Sequence, residues 1–184
     1  MVKLNKIYTR TGDGGSAGLV DGSRVSKSSL RMTAIGEVDE ANAAIGAAIA
    51  ALGGGETALQ LVRIQNELFD LGADLSVPYA GTDDRLRVTD DAIERLEHDI
   101  EEANASLPDL KSFVLPGGSE RAARLFLARA VCRRAERSVL AVPDTNPLVA
   151  VYLNRLSDLL FVLARSANAE AGVTGPLWRP GSTP

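Results

Sequence analysis

Two arginines and a glutamate stand at helical spacing in the segment between Leu115 and Pro143. Arg129, Arg133 and Glu136 lie at i, i+4 and i+7, so a helix would place them in one stripe. Apolar residues flank the stripe on both sides, and a charge in apolar surroundings needs a partner. Glu136 can offset one arginine but not both. The surplus cation predicts a buried carboxylate, an anionic ligand or both, and the alternative is an ordinary solvated basic face.

The helix that carries this stripe is predicted from about Ser119 to Leu140. Two glycines precede it, Ser119 is a suitable N-cap, and Pro143 closes the far end. Periodicity of about 100° per residue then defines the core arc. The predicted core residues are Ala122, Leu125, Phe126, Ala128, Cys132, Ala135, Val139 and Leu140. Three further arginines point nearer to water in this arrangement: Arg124, Arg134 and Arg137.

A second candidate site is the glycine-rich segment TRTGDGGSAG near the N-terminus. A loop of this composition can aim successive backbone N–H groups at a phosphate chain. It lacks the GK[ST] ending of a Walker P-loop, and a turn at Asp21-Gly22 and then Lys27 follow it. The alternative is a pair of tight turns. The candidate residues are Thr9, Arg10, Thr11, Gly12, Asp13, Gly14, Gly15, Ser16, Gly18 and Lys27.

The composition limits the fold and the function. A chain of 184 residues with 45% hydrophobic residues, 4% aromatics and little strand-like alternation predicts an all-α bundle in one domain, residues 1–184. The net charge of −4 argues against a nucleic-acid partner. The sole cysteine, Cys132, and the sole histidine, His98, exclude an internal disulfide and a multi-histidine metal site. With no apolar leader and no membrane-length apolar run, a cytoplasmic protein is expected.

Four further helices are predicted, at about 28–52, 57–75 with Thr57 as cap, 90–104 and 147–172. Asp39 lies at the edge of the first helix's apolar arc and is a candidate partner for an inner arginine, or else an ordinary rim carboxylate. Glu37 and Glu40 of that helix are expected on its outer face. Asn154 belongs to a mixed polar and aromatic stripe on the last helix, which would be a ligand edge or a subunit contact. Residues 1–27 are expected to form a loop and 173–184 a flexible tail, whose Trp178 would cover a ligand or pack on a neighbour.

Five ordered motifs resemble those of one family: TRTGDGG, GEVDEAN, FVLPGG, RAVCRRAER and YLNRLSDLLFVLAR. They span nearly the whole chain and resemble the PduO-type ATP:cobalamin adenosyltransferases, also called corrinoid adenosyltransferases. The resemblance implies a five-helix bundle that assembles as a homotrimer with active sites between subunits. It implies an enzyme that uses ATP and Mg²⁺, transfers the 5′-deoxyadenosyl group to the cobalt of reduced cobalamin, and releases tripolyphosphate.

The resemblance also implies roles for particular residues. Asp39 and Arg129 would form an ion pair across subunits. Phe113 would crowd the lower face of the corrinoid cobalt and favour loss of the lower axial ligand; the alternative is a core phenylalanine. With Arg133 these residues form the expected catalytic set. The expected nucleotide contacts are the loop from Thr9 to Gly18, Lys27, Arg133, Arg134, Glu136, Arg137 and Asn154.

Cobalt(I) is its own nucleophile, so this chemistry requires no side-chain nucleophile. A reductase that supplies cobalt(I) and a mutase that uses the product are implied partners. The main alternative is a non-catalytic corrinoid- or nucleotide-binding carrier or sensor with the same bundle. A purely structural bundle is the third interpretation, and it predicts no ATP binding.

Overall fold

The computed structural model describes residues 8–81 and 84–181. Two short strands, β1 (Ser16–Gly18) and β2 (Arg24–Ser26), form an antiparallel hairpin within the segment expected to be a loop. Five helices follow, and the predicted five-helix bundle is confirmed. Their bounds are α1 (Leu30–Leu52), α2 (Glu56–Leu75), α3 (Asp90–Asn104), α4 (Glu120–Leu140) and α5 (Pro147–Glu170).

Local capping chemistry sets the start of α4 and of α5. The Ser119 hydroxyl accepts a hydrogen bond of 3.2 Å from the Ala122 N–H. The Asn146 side chain accepts one of 3.1 Å from the Leu148 N–H, and Pro147 takes the first position of α5. Both caps satisfy amide donors that a helix start otherwise leaves unpaired. They also fix where the charged stripe of α4 and the polar stripe of α5 begin.

The start of α2 and the burial of Leu140, the last residue of α4, differ from the prediction. Gly55, not Thr57, occupies the N-cap position of α2, and Thr57 lies inside the helix. Three glycines in positive-φ conformations already turn the chain there, so the helix begins one residue after the last of them. Leu140 is 68% exposed rather than buried. It lies about 100° around the helix from buried Val139, on the solvent side.

α4 and α5 form the centre of the bundle. α4 packs against α1 and α5, α3 packs against α5, and α1 packs against α2. One buried cluster joins side chains from all five helices. Among the described residues only α5 is long and apolar enough to cross a membrane, but 56% of its most apolar stretch is buried inside the bundle. The apolar composition of α5 is therefore explained by its position in the core of the bundle.

A buried polar network holds the connection between α2 and α3 against the start of α5. The Asp74 carboxylate, almost fully buried, accepts hydrogen bonds from Arg87 at 2.6 Å, from the Val88 N–H at 2.8 Å and from Asn146 at 2.8 Å. Each carboxylate oxygen therefore has a donor, as a buried charge requires. The network thus ties the end of α2, the residues before α3 and the start of α5 together.

Candidate functional site

A cavity of about 660 Å³ opens between α4, α5 and the loop that enters α4. We call it the front cavity. Its volume falls within the range of small-molecule sites, and its wall is mainly apolar with one cation and one carboxylate. The lining residues are Leu110, Ser112, Phe113, Val114, Pro116, Phe126, Arg129, Asp158, Phe161 and Trp178.

Phe113 stands at the mouth of this cavity and is 76% exposed. Its backbone carbonyl accepts a hydrogen bond of 2.8 Å from the Trp178 N–H, and the two rings meet edge to face with centroids 5.9 Å apart. A core phenylalanine would be surrounded by other side chains, so that alternative is wrong. The aromatic ring is instead held out toward the cavity.

The C-terminal segment is paired with this loop, which departs from the flexible tail that was expected. Val114 and Leu177 form an antiparallel bridge, and the Leu115 N–H donates to the Pro176 carbonyl at 2.9 Å. The Ser112 hydroxyl donates to the Trp178 carbonyl at 2.9 Å. Prolines prevent a helix here but allow an extended strand, so the segment finds its hydrogen bonds in the Phe113 loop. Trp178 packs on its own chain in this arrangement.

Asn168 of α5 fixes the glycine turn that separates Phe113 from α4. Its side chain accepts a hydrogen bond of 2.8 Å from the Ser119 N–H and donates one of 3.0 Å to the Gly117 carbonyl. Gly118 has φ of 102°, and a β-carbon there would overlap the Asn168 side chain. Asn168 could not be identified from local sequence, because its partners lie about 50 positions away. A buried asparagine on the core face of α5 is the signal that could have indicated it.

Arg129 is the cation of the front cavity. Its Nε atom is buried and has no hydrogen-bond partner among residues 8–81 and 84–181, and its guanidinium carbon lies 5.4 Å from the centroid of the Phe161 ring. Burial lowers the pKa of Arg129 below its ordinary value, and the Arg133 cation lowers it further, while Asp158 raises it. Because arginine stays protonated even so, the cavity wall carries a partly desolvated positive charge.

Glu136 does not pair with either inner arginine, although the sequence analysis expected it to offset one. Its carboxylate accepts a hydrogen bond of 3.2 Å from Asn154 of α5. The Arg133 carbonyl accepts one of 2.8 Å from Arg137. No hydrogen bond or ion pair engages the Arg133 guanidinium within the described parts of the chain. α4 and α5 thus bring Arg133, Glu136, Arg137 and Asn154 onto one surface, with Arg133 available to a ligand.

Arg134 joins α4 to α1. Its guanidinium pairs with Glu40 and lies 3.9 Å from the Glu37 carboxylate, and Ser138 donates to Glu37 at 2.7 Å. The hydrogen bond to Glu40 raises the pKa of Arg134. The expectation of an outer face is therefore wrong for Glu37, which is half-buried against α4, whereas Glu40 is exposed as expected and still pairs with Arg134. Arg134, an expected nucleotide contact, is therefore engaged with α1 within one chain.

Asp39 lies elsewhere on the molecule. It is exposed on α1 and lines a smaller cavity of about 330 Å³ between α1 and α2, beside Phe69. Arg129 lines the front cavity between α4 and α5. The two charges occupy different surfaces of one chain, so an ion pair between them requires two copies of the protein.

Arg24, which is not among the candidate residues predicted from the sequence, organises the glycine-rich loop. Its guanidinium donates to the Thr11 carbonyl at 2.8 Å and to the Ser16 hydroxyl at 2.7 Å. The Thr11 and Thr9 hydroxyls are 2.6 Å apart, and Arg10 adopts a positive φ of 62°. An arginine at the start of a short strand is a weak sequence signal, because its partners here are backbone and hydroxyl oxygens.

The loop leaves donors free for an anion. Among the described residues, no protein acceptor takes the N–H of Gly12 or of Gly14. The Lys27 side chain folds back over the loop, so that a β-carbon at Gly12 would lie 2.9 Å from its Nζ atom. The structure therefore brings the expected loop residues and Lys27 together. Exposed amides beside an ammonium group are the elements of an anion-binding cradle.

The chain is thus a helical bundle with an apolar cavity that contains one cation, Arg129, and with a separate glycine-rich loop beside Lys27 that suits an anion. The sequence profile of the family described as cobalamin adenosyltransferase matches residues 7–167, and the chain belongs to that family.

Curated relatives of the chain also carry the name adenosyltransferase. The chain is 54% identical to the corrinoid adenosyltransferase of Mycobacterium tuberculosis strain H37Rv, over 98% of this chain and 96% of the relative. It is 44% identical to the corrinoid adenosyltransferase of Bacillus subtilis strain 168, over 91% and 89% of the two chains. It is 38% identical to the corrinoid adenosyltransferase PduO of Salmonella typhimurium, over 90% of this chain but 50% of that protein.

Solved structures have the same fold. A variant of the PduO-type ATP:corrinoid adenosyltransferase from Lactobacillus reuteri, complexed with cobalamin and ATP, superposes with a TM-score of 0.86 at 32% identity, covering 95% of this chain and 99% of that one. A second variant, complexed with ATP, gives a TM-score of 0.84 at 32% identity and covers 94% and 100% of the two chains.

Proposed function

We propose that this protein transfers the 5′-deoxyadenosyl group of ATP to the cobalt of a reduced corrinoid and releases tripolyphosphate. Family membership and the relatives' activity support this assignment, as do the related structures complexed with cobalamin and ATP. The observation that carries it is the front cavity, where the partly desolvated Arg129 cation and the exposed Phe113 ring face an apolar space large enough for a ligand.

The reaction needs orientation and charge stabilisation more than acid–base chemistry. The cobalt(I) electron pair attacks C5′ of ATP, a cobalt–carbon bond forms, and the C5′–O bond breaks with its electrons going to the leaving tripolyphosphate. Negative charge therefore develops on the oxygen that departs. The loop amides, Lys27 and Arg133 are the donors that would hold this charge, and preorganised donors lower the barrier because they need little rearrangement.

Phe113 prepares the corrinoid. Reduction of cobalt(II) to cobalt(I) is easier once the lower axial ligand has left, because an axial donor raises the orbital that must accept the electron. An exposed aromatic ring at the cavity mouth, braced by Trp178, can exclude that ligand and water from the lower face. The same apolar wall keeps the reactive cobalt(I) away from solvent.

Magnesium enters with the triphosphate in this proposal. The described residues contain no group of three or more His, Cys, Asp or Glu side chains that could hold a metal by themselves. Mg²⁺ usually keeps few protein ligands and takes the rest from phosphate and water. Asp13 of the loop is the carboxylate that would contact such an ion, and the ion would add to the charge that Lys27 supplies.

We infer that the active site lies between subunits of a homotrimer. Asp39 and Arg129 lie on different surfaces of one chain, and no hydrogen bond among the described residues joins the glycine-rich loop to Arg133. α2 exposes Leu59, Val62 and Phe69 along one helix face, and Phe69 lines the same cavity as Asp39. When a neighbouring copy covers this face, Asp39 of one subunit would meet Arg129 of the other. The glycine-rich loop of one subunit would likewise meet Arg133 of the other.

The enzyme works in the cytoplasm in this proposal, where a reductase supplies cobalt(I) and an adenosylcobalamin-dependent mutase uses the product. The packing of α5 inside the bundle is consistent with that location. Co-purification with either partner from the source cells, compared with a variant that binds no corrinoid, would test these two contacts.

Anaerobic assay of the purified protein with cob(I)alamin and Mg-ATP tests the function. We expect an absorbance change from cob(I)alamin to adenosylcobalamin and one tripolyphosphate released per turnover. Calorimetry with Mg-ATP is the companion measurement. Tight binding of both substrates without product would indicate the carrier or sensor, and absence of ATP binding would leave only the structural bundle.

A further inference from the structure

A second cavity of about 490 Å³ lies behind the front cavity. We call it the rear cavity. Residues 107–111, the end of α5 and the C-terminal segment surround it, and none of the roles described above uses it. Leu110 and Val114 line both cavities, so the two spaces meet at that edge.

The short strand pair between the Phe113 loop and the C-terminal segment separates the two cavities. Residues opposite one another in an antiparallel pair share a face, and successive residues alternate between faces. Phe113 and Trp178 therefore face the front cavity, whereas Leu177, paired with Val114, faces the rear one. A ligand group excluded from the space beside Phe113 reaches the rear cavity by passing Leu110.

The rear cavity combines apolar walls with a positive rim. Lys111 and Arg165 contribute two positive charges and Asp109 one negative charge. Within the described residues no ion pair or hydrogen bond engages Lys111, whereas Arg165 donates to Asn104 at 3.1 Å and to the Pro108 carbonyl. The Ala167 and Ala169 carbonyls at the end of α5 already accept backbone hydrogen bonds. Because the rim carries a net positive charge, the rear cavity favours an apolar group that carries an anion over a cation.

We propose that the rear cavity binds the displaced nucleotide tail of the corrinoid. Cobalamin carries an aromatic base joined through a ribose and a phosphodiester, and this base is the lower axial ligand that the ring of Phe113 would exclude. Once released, the base packs on Leu110 and Leu177, and the phosphodiester lies beside Lys111. Binding of the tail then favours the base-off corrinoid, in which the base has left the cobalt, because the binding energy of the tail offsets the lost cobalt–nitrogen bond. This inference rests on the proposed function.

Cobinamide, a corrinoid without the nucleotide tail, provides the test. Ala169 is exposed on α5 and lines the rear cavity, so Ala169→Phe fills the space without changing the core. Ala141→Phe, at the exposed end of α4 and outside both cavities, is the matched control. Dissociation constants for cob(II)alamin and cob(II)inamide would be measured optically with Mg-ATP present. Ala169→Phe should weaken cobalamin binding by about tenfold and cobinamide binding by less than about twofold.

Lys111→Ala tests the phosphate contact independently. It should weaken cobalamin binding by about two- to fivefold, the range of a solvent-exposed charge contact, and leave cobinamide binding unchanged. Arg121→Ala, an exposed arginine of α4 that lines neither cavity, controls for the loss of one positive charge. Melting temperatures confirm that each variant is folded.

The outcomes separate this inference from the proposed function. If the wild-type protein adenosylates both corrinoids, the proposed function is supported. The variants then test only whether the rear cavity binds the nucleotide tail. Equal changes in affinity for cobalamin and cobinamide, or no change for either, would overturn the tail site while the enzyme stands. Wild-type protein that binds neither corrinoid would overturn both proposals.

Discussion

Phe113→Ala separates a catalytic phenylalanine from a structural one. The ring is 76% exposed, and its described ring contact is the edge-to-face pair with Trp178. Such a pair contributes about 0.5–1.5 kcal/mol, so the variant should lose about that much unfolding free energy. For a chain of this length 1 kcal/mol corresponds to about 2–4 °C. We expect a fall in melting temperature of only a few degrees.

Phe126 is the matched control because it lines the same cavity but is buried. Phe126→Ala should destabilise the protein by about 3–5 kcal/mol, the usual loss for a buried phenylalanine. The two substitutions remove the same type of side chain from the lining of one cavity. The difference between their losses of unfolding free energy therefore measures how much less an exposed phenylalanine stabilises the fold than a buried one.

The assay is an electron paramagnetic resonance spectrum of cob(II)alamin bound with Mg-ATP, recorded beside turnover from cobalt(II). Phe113→Ala should retain ATP binding, lose much of the four-coordinate cobalt(II) signal and slow turnover. An unchanged four-coordinate signal together with a large fall in melting temperature would refute the reasoning, since Phe113 would then act through stability alone.

Four further predictions use other parts of the molecule. Arg133→Ala should lower kcat by the equivalent of about 2.7–4 kcal/mol with an unchanged melting temperature, because no described contact uses its guanidinium; near-wild-type turnover would remove it from the mechanism. Asp39→Asn should weaken trimer assembly or corrinoid binding more than ATP binding, and unchanged sedimentation with an equal loss of ATP affinity would count against that role. Gly118→Ala should lower the free energy of unfolding by about 1–3 kcal/mol in a urea titration, because its β-carbon would overlap Asn168 at a φ of 102°; a wild-type midpoint would contradict the strain. Burial raises the pKa of the Cys132 thiol from about 9 to about 12, so the folded protein should resist thiol reagents at pH 8. The buried thiol contributes stability below pH 9, and this contribution should decline as the pH rises toward 12. Rapid labelling of the folded protein at pH 8 would contradict the prediction.

The sequence alone determined the helices and the charge imbalance. Ser119 caps α4 and Asn146-Pro147 starts α5 as the local pattern predicts, because a cap depends on residues only two or three positions apart. The 3.6-residue period likewise places Arg129 and Arg133 beside apolar neighbours. The five-helix bundle and the surplus cation on α4 could therefore be predicted before any coordinates.

Contacts between distant residues were decided only by the tertiary structure. Arg134 pairs with Glu40 across 94 positions, and Trp178 meets Phe113 across 65, so no local pattern records either contact. Glu136 bonds Asn154 rather than an arginine, which leaves both inner cations unpaired by carboxylates on their own helix. Periodicity gives the face on which a side chain lies, but the choice of partner depends on which elements pack against that face. For that physical reason the sequence predicted the charged helix, whereas packing alone decided the strand pair that braces Phe113 and the rear cavity behind it.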